Sequence, residues 1–131
     1  MKTKEFHLGD VLSVITNRNL SPRELYGLSD ILEFMTGYSL FDSRLVPVYG
    51  VCRLCLIQQF PELTTPEMDI AISELDEMVE KKNERYKSTE ISNIISSWLH
   101  KVISGGYNGI KCNETLTVRP FPEGIDPLRV N

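Results

Sequence analysis

The chain has 131 residues, of which 41% are hydrophobic and 24% charged, and its formal net charge is −4. These values predict a single domain over residues 1–131, and they argue against a DNA-binding protein because phosphate contacts need a basic surface. The polar first residues do not form a secretory signal, and no apolar run approaches the roughly 18 residues of a membrane span. We therefore expect a cytoplasmic protein without a membrane partner, whose three cysteines are free thiols.

Two helices are predicted in the first third of the chain. Apolar residues at helical spacing predict the first over residues 9–18, although its β-branched residues 14–16 also suit a strand. The second is predicted within Asn19–Tyr38, where Ser21 is an N-cap residue, Glu24 follows three residues later, and Gly37 favours termination. Four apolar residues recur at helical spacing and form one side of this helix: Leu28, Ile31, Leu32 and Met35.

A third helix is predicted from Pro47 to about Phe60, where Pro61 ends it. It is apolar nearly all round, which is typical of a central helix or of one at a subunit interface. We therefore expect a homo-oligomer, either a dimer or a multiple of dimers. Arg53 is the only charged residue of this helix, so its guanidinium must reach a partner or a ligand.

Two longer helices and a strand are predicted in the second half. The fourth helix starts near Thr65, and its charged residues 80–85 suit a solvated face. The fifth spans Ser88–Ser104 and has the most regular apolar stripe. Within Ile110–Val118, which suits a small hairpin, Thr115–Val118 is the best strand candidate. The predicted class is mainly helical α+β, with about five helices and a short C-terminal strand or hairpin.

Catalytic and metal motifs are weak throughout the sequence. Cys52 and Cys55 form a CxxC pair inside an apolar helix, and Cys112, His7 and His100 do not complete a zinc-ligand pattern. The two histidines are isolated, and neither a P-loop nor a GxGxxG motif occurs. We expect buried core thiols, no metal, no cofactor and no enzymatic activity.

Several aromatic residues and one arginine are suited to nucleotide binding. Arg119 lies between the predicted strand and Pro120, and an arginine offers a bidentate fork for phosphate. Tyr86, Trp98 and Tyr107 are candidates for stacking on a base. Each also has a structural interpretation: a salt bridge for Arg119, helix-end packing for Tyr86 and the core for Trp98.

Several short stretches resemble a known family of small bacteriophage proteins. They are Leu20-Ser21-Pro22-Arg23, Asp30-Ile31-Leu32 and Phe34-Met35-Thr36-Gly37 within His7–Phe41, and Trp98-Leu99 and Thr115-Leu116-Thr117-Val118-Arg119-Pro120 near the C-terminus. The pattern is similar to the phage Thoeris anti-defence family, first type. The resemblance covers the first third of the chain well, the last quarter in part and the middle poorly.

The resemblance implies a sponge that binds a signalling nucleotide without cleaving it in the host cytoplasm. The implied ligand is a glycocyclic ADP-ribose made by a TIR-domain enzyme, and some relatives also take cyclic trinucleotides. The nucleotide pocket of the family lies at a subunit interface. The resemblance implies that four residues contact the ligand in this chain: Arg119, Asp126, Tyr86 and Asn93. Arg23, in the first turn of the predicted second helix, is the candidate for the second ligand class.

Two alternative functions remain open from the sequence. One is a phage inhibitor that binds a host defence protein directly, as anti-CRISPR proteins do. The weaker one is a helix-turn-helix regulator using the first two helices, which the net charge of −4 does not favour. The chain also differs from the family pattern between Gly105 and Glu114, where it carries extra residues.

Overall fold

The computed structural model of the protein describes residues 2–23, 25–38, 45–83, 88–107 and 110–121. Within them, five α-helices and a two-stranded antiparallel sheet confirm the mainly helical α+β class. The chain divides into two compact units, one of Met1–Pro61 with Thr115–Asn131 and one of Glu62–Glu114. The single domain expected from length stays a prediction, and each unit is described by itself.

The elements follow one another along the chain in a simple order. The first unit contains strand β1 (Lys4–His7), helices α1 (Leu8–Thr16), α2 (Leu25–Thr36) and α3 (Leu45–Gln59), and strand β2 (Thr115–Val118). A 3-10 helix follows at Pro61–Thr64, and the second unit contains helices α4 (Pro66–Asn83) and α5 (Ser88–Ser104). No helix in the described ranges combines the length and hydropathy needed to cross a bilayer.

The sheet of the first unit joins the two ends of the chain. Strand β2 pairs with β1 in antiparallel register, with Lys4 opposite Val118 and His7 opposite Thr115. The predicted C-terminal strand is confirmed, whereas β1 was not predicted and takes the place of a hairpin partner. A four-residue strand is too short for its alternating pattern to stand out in the sequence. Phe6 is its buried residue, and the ring lies 5.6 Å from that of Phe34.

Helix α1 is the central element of the first unit. All eight residues from Leu8 to Ile15 are buried, and α1 packs against α2, α3 and both strands. Its C-terminal carbonyls receive side-chain donors from α3: the Arg53 Nε–H group donates to Ile15 O at 2.6 Å, and the Tyr49 hydroxyl donates to Ser13 O at 2.7 Å. Carbonyl groups in the last turn of a helix are available to such donors.

Helix α2 begins at Leu25, three residues later than the proline-based prediction. Ser21 does not cap a helix there. Its hydroxyl donates a short hydrogen bond to the Asp10 carboxylate and accepts one from the backbone N–H group of Arg23 at 3.1 Å. Since this local side-chain bond competes with helical pairing, residues 22–23 form a turn. The predicted apolar stripe is confirmed by buried Ile31, Leu32 and Met35.

Helix α3 is buried along one side only, although it is apolar nearly all round. Cys52, Leu56 and Phe60, which follows the helix, face the core, whereas Leu54 is 59% exposed. The predicted need of Arg53 for a partner is confirmed by its bond to Ile15 O. Among residues 49–59 of α3, whose burial the structure describes, Leu54 is thus a large apolar side chain left exposed.

The second unit is built from α4 and α5, which pack together. The predicted stripes are confirmed where the structure describes them, with Met68, Leu75, Trp98 and Val102 buried. The indole N–H group of Trp98 donates to the carbonyl oxygen of Ala71 at 2.9 Å. A buried indole needs such a partner, and this bond joins the two helices in register.

Candidate functional site

A cavity of about 610 Å³ opens between α4 and α5 in the second unit. Helix α4 contributes Glu74, Glu77 and Met78, helix α5 contributes Asn93, Ile94, Ser97, Trp98 and Lys101, and Tyr107 lies beyond the end of α5. Two helical spacings explain the set from α5. Asn93, Ser97 and Lys101 follow one another at intervals of four residues, as do Ile94 and Trp98, so each group lies on one stripe.

The cavity has an apolar floor and polar rims. Met78, Ile94 and Trp98 are the apolar lining residues, and Trp98 is 1% exposed. The polar groups are separated by helix, with two carboxylates on α4 and an amide, a hydroxyl and an ammonium on α5. Sites for organic ligands have this composition, in which the apolar surface provides area and a few polar groups set orientation.

Tyr107 is held by two charged neighbours. The Nζ atom of Lys101 lies 4.8 Å from the centre of the Tyr107 ring, a distance typical of a cation–π contact. Burial raises the pKa of the Tyr107 hydroxyl, and the charge of Glu74 and a hydrogen bond with that carboxylate raise the pKa further. The ring is thus held at the edge of the cavity as a neutral phenol.

Asn93 lies in this cavity, as do Trp98 and Tyr107, which the sequence suggested for stacking on a base. The Asn93 side chain is exposed on α5 and lines the cavity with Ser97 and Lys101. Tyr86 and Asp126 fall outside the residues that the structure describes, so their predicted roles stay predictions. Arg23 and Arg119 belong to the first unit.

Arg23 takes part in an ion-pair network at the start of α2. Its Nη2 atom lies 2.7 Å from the buried Asp10 carboxylate, and its Nη1 atom lies 3.2 Å from Asp30. Asp30 also accepts from Lys4 Nζ at 2.8 Å. The hydrogen bond to Asp10 is the main cause of a raised pKa for the guanidinium. The Arg23 side chain is 47% exposed. A cyclic trinucleotide bound there would compete with the carboxylates of Asp10 and Asp30 for the guanidinium.

Arg119 is fixed through its main chain. The Nε2 atom of Gln59 donates to the carbonyl oxygen of Arg119 at 2.9 Å. The Oε1 atom of Gln59 accepts from the Arg119 N–H group at 2.8 Å. This pair of bonds extends the ladder of β2 by one residue onto the end of α3. The Arg119 side chain is exposed, so a restrained backbone presents a guanidinium to solvent.

The thiols and His7 have structural environments. Burial is the main reason that the pKa of Cys52 rises to about 12, which makes it a poor nucleophile at neutral pH. Cys52, Cys55 and Cys112 are free. The Nδ1 atom of His7 accepts from the Gly9 N–H group at 2.9 Å and so caps α1. The described part of the chain contains no cluster of three potential metal ligands.

Sequence reasoning missed four polar residues of the cavity. Glu74, Glu77, Ser97 and Lys101 were not singled out because charged residues on amphipathic helices usually form a solvated face. The four-residue spacing of Asn93, Ser97 and Lys101 was a usable signal, since it places them on one stripe. What the sequence lacked was the pairing of that stripe with Glu74 and Glu77 from α4.

Comparison with known proteins finds one similarity, which covers less than half of the chain. Residues 6–65 match a family described as a domain of unknown function (DUF7736). No curated protein matches the chain, and no solved structure matches it. The matched range begins inside β1 and contains α1, α2 and α3, whereas the α4–α5 cavity lies after it.

Proposed function

We propose that the protein binds a signalling nucleotide of a bacterial defence system and withholds it from its receptor without cleaving it. The proposed ligand is a glycocyclic ADP-ribose made by a TIR-domain enzyme, with cyclic trinucleotides as a second class. The protein would act as a bacteriophage product in the host cytoplasm. The observation that carries the proposal is the α4–α5 cavity, because Asn93, assigned to the ligand by resemblance, is one of its lining residues.

The size and lining of the cavity support this ligand class. Its volume of about 610 Å³ lies within the range of roughly 300–1,000 Å³ that is usual for small-molecule sites. The apolar floor suits a base, and the polar rims suit ribose and phosphate groups. Ligand contacts from Arg119, Asp126 and Tyr86 are proposed from the resemblance alone.

Binding without turnover is supported by the described nucleophiles and bases. The raised pKa of Cys52, about 12, disfavours a thiolate at neutral pH. The Nδ1 atom of His7 is occupied as a helix cap. His100 is exposed on α5 and is not a lining residue of the cavity. We therefore propose that the nucleotide is held and released chemically unchanged.

A retention experiment tests the proposed function. The purified full chain is incubated with the product of a TIR enzyme, separated from free nucleotide by gel filtration and then denatured by heat. We expect one equivalent of intact nucleotide per site in the supernatant. Fragments would indicate an enzyme, and an empty supernatant would contradict the sponge proposal.

A filled cavity provides the matched control for retention. Ser97 is exposed and lines the cavity, so Ser97→Phe should occupy ligand volume without disturbing the core. Ser96→Phe, on an exposed position of the same helix outside the lining set, controls for the added ring. We expect retention to disappear in the first variant and to persist in the second, with equal melting temperatures.

A protein-directed inhibitor is the second candidate, because an exposed aromatic ring favours it. Tyr26 on α2 is 83% exposed, and tyrosine is enriched at protein interfaces. A pull-down from host lysate with wild type and Tyr26→Ala distinguishes the candidates. A protein captured only by wild type, with no nucleotide retained, would favour direct inhibition. The helix-turn-helix alternative is weaker, since α2 carries Asp30 and Glu33 and no basic residue.

A further inference from the structure

The α4–α5 cavity separates its charges in a way that restricts the ligand. Glu74 and Glu77 lie on α4, and Lys101 lies on α5 with Asn93 and Ser97. With two carboxylates and one ammonium, the charged lining residues sum to −1. A cavity with a net negative lining disfavours a ligand that places several phosphate groups inside it.

Each rim suits a different part of a nucleoside. A carboxylate accepts hydrogen bonds only, and acidic side chains bind ribose hydroxyls in known nucleotide sites. Since Glu74 is engaged by the Tyr107 hydroxyl, Glu77 is the carboxylate assigned to the ribose. The amide of Asn93 and the hydroxyl of Ser97 suit the polar edge of a base. Lys101 is suited to a single phosphate.

Tyr107 is the aromatic residue that suits the base, because Trp98 is only 1% exposed. Trp98 is part of the apolar floor, and Tyr107 stands at the edge with its ring beside Lys101 Nζ. Stacking on an aromatic ring tolerates every base because each base has a π-face. An organic cation is the competing ligand, but the ammonium of Lys101 already occupies the cation position over Tyr107.

From this arrangement we infer that the cavity binds the nucleoside end of its ligand with at most one phosphate, through Glu77 at the ribose, Lys101 at that phosphate and Tyr107 at the base. The inference deepens the proposed nucleotide binding and rests on it. Further phosphates of the ligand lie outside the cavity.

Trp98 provides a direct readout of this cavity. It is the only tryptophan of the chain and one of the lining residues, so its emission reports occupancy. Adenosine, AMP, ADP and ATP are titrated into the full chain at constant ionic strength. We expect AMP to bind most tightly of the four. The affinity for ATP should be lower than that for AMP by about tenfold or more, because the carboxylates of the cavity repel the additional phosphates. ATP binding tighter than AMP would overturn the inference.

Two variants assign the rims separately. Glu77→Gln should weaken adenosine binding about tenfold, because a hydrogen bond to a charged group is lost. The variant should also bind AMP and ATP with more similar affinities than wild type does, because one negative charge is removed from the cavity. Lys101→Met should remove the advantage of AMP over adenosine. Glu67→Gln and Lys111→Met, both exposed and outside the lining set, are the controls and should behave as wild type. Wild-type selectivity in Glu77→Gln would overturn the assignment.

Tyr107 is tested by a pair of substitutions and by a competing ligand. Tyr107→Phe keeps the ring and should retain adenosine binding, whereas Tyr107→Leu should lose about tenfold or more of it. Choline is titrated in parallel. A response to choline without one to adenosine would overturn the inference in favour of a cation site.

The outcomes separate this inference from the proposed function. Retention of the TIR product with no Trp98 response to adenosine or AMP would overturn the nucleoside assignment and leave the sponge proposal standing. Nucleoside binding with the expected selectivity, but no retained TIR product, would contradict the sponge proposal alone.

Discussion

At the residue scale, a buried carboxylate organises the start of the first unit. Asp10 is fully buried, accepts from the Ser21 hydroxyl and pairs with Arg23 at 2.7 Å. Gly27 lies against this group, so a Cβ atom there would collide with Ser21 Oγ and Asp10 Oδ1. The network therefore requires a residue without a side chain on the facing turn of α2.

Gly27→Ala should destabilise the protein by about 1–3 kcal/mol because the added methyl group displaces the Asp10–Ser21 pair. Gly50→Ala, in the interior of α3, is the matched control, since a Cβ atom there meets nothing within 4 Å. It should stabilise by about 0.5–1 kcal/mol through helix propensity. Urea unfolding measures both changes, and equal signs for the two variants would contradict the packing argument.

Asp30 should make stability depend on acid pH. Burial raises its pKa, but hydrogen bonds from Lys4 and Arg23 lower it by more, so the folded pKa lies below the usual 3.8. A depressed pKa contributes stability above the unfolded value, and that contribution is lost as pH falls through the folded value. Asp30→Asn should therefore cost under about 1 kcal/mol at pH 7.

The difference between wild type and Asp30→Asn should shrink as the pH falls through the lowered folded pKa, because the wild-type carboxyl then becomes neutral too. Thermal melts from pH 7 to pH 2.5 measure it. Glu5→Gln, an exposed position on β1, controls for general charge effects. A gap between wild type and Asp30→Asn that stays constant with pH would show that the cost comes from packing instead.

At the element scale, β1 closes the first unit by pairing the two ends of the described chain. Its four residues pair with Thr115–Val118, and its alternation directs Phe6 into the core beside Phe34. A two-stranded ribbon alone is marginal in water. The ribbon is therefore stabilised by packing on α1, which contacts both strands.

Phe6→Ala should destabilise the protein by about 3–5 kcal/mol, the usual cost of removing a buried aromatic side chain. Glu5→Ala, the exposed neighbour on the same strand, should change stability by under about 0.5 kcal/mol. Denaturant unfolding followed by circular dichroism gives both values. A small loss in Phe6→Ala would mean that β1 contributes little to the first unit.

At the scale of the whole molecule, self-association is the expectation carried by α3. Leu54 is 59% exposed on a helix whose opposite side is buried, and exposed apolar surface often marks an interface. Light scattering at micromolar concentration should give the mass of a dimer or of a multiple of dimers. Leu54→Glu should shift the oligomeric state towards monomer, because it places a charge in the expected interface. A strictly monomeric wild type would contradict this.

Ile70→Glu serves as the control for that measurement. Ile70 is 63% exposed on α4 in the second unit, so a charge there tests a different surface. We expect the oligomer to persist in this variant. Dissociation by Ile70→Glu alone would move the interface from α3 to α4.

The sequence by itself determined the fold class and most helix positions. Helical spacing of apolar residues and the prolines that bound the third helix identified all five helices, because both are local properties of the sequence. It predicted the burial of Ile31, Leu32 and Met35, and the need of Arg53 for a partner. The sequence also predicted strand Thr115–Val118, in which polar and apolar residues alternate.

Only the tertiary structure decided what depends on residues distant in the chain. The partner of β2, the acceptor of Arg53 and the carboxylates around Arg23 come from other elements, and no local period encodes such pairings. The α4–α5 cavity is of the same kind: its acidic and basic rims belong to different helices. Asn93 was predicted by resemblance, but Glu77, Lys101 and Tyr107 acquire a common role only where helix packing brings them to one cavity.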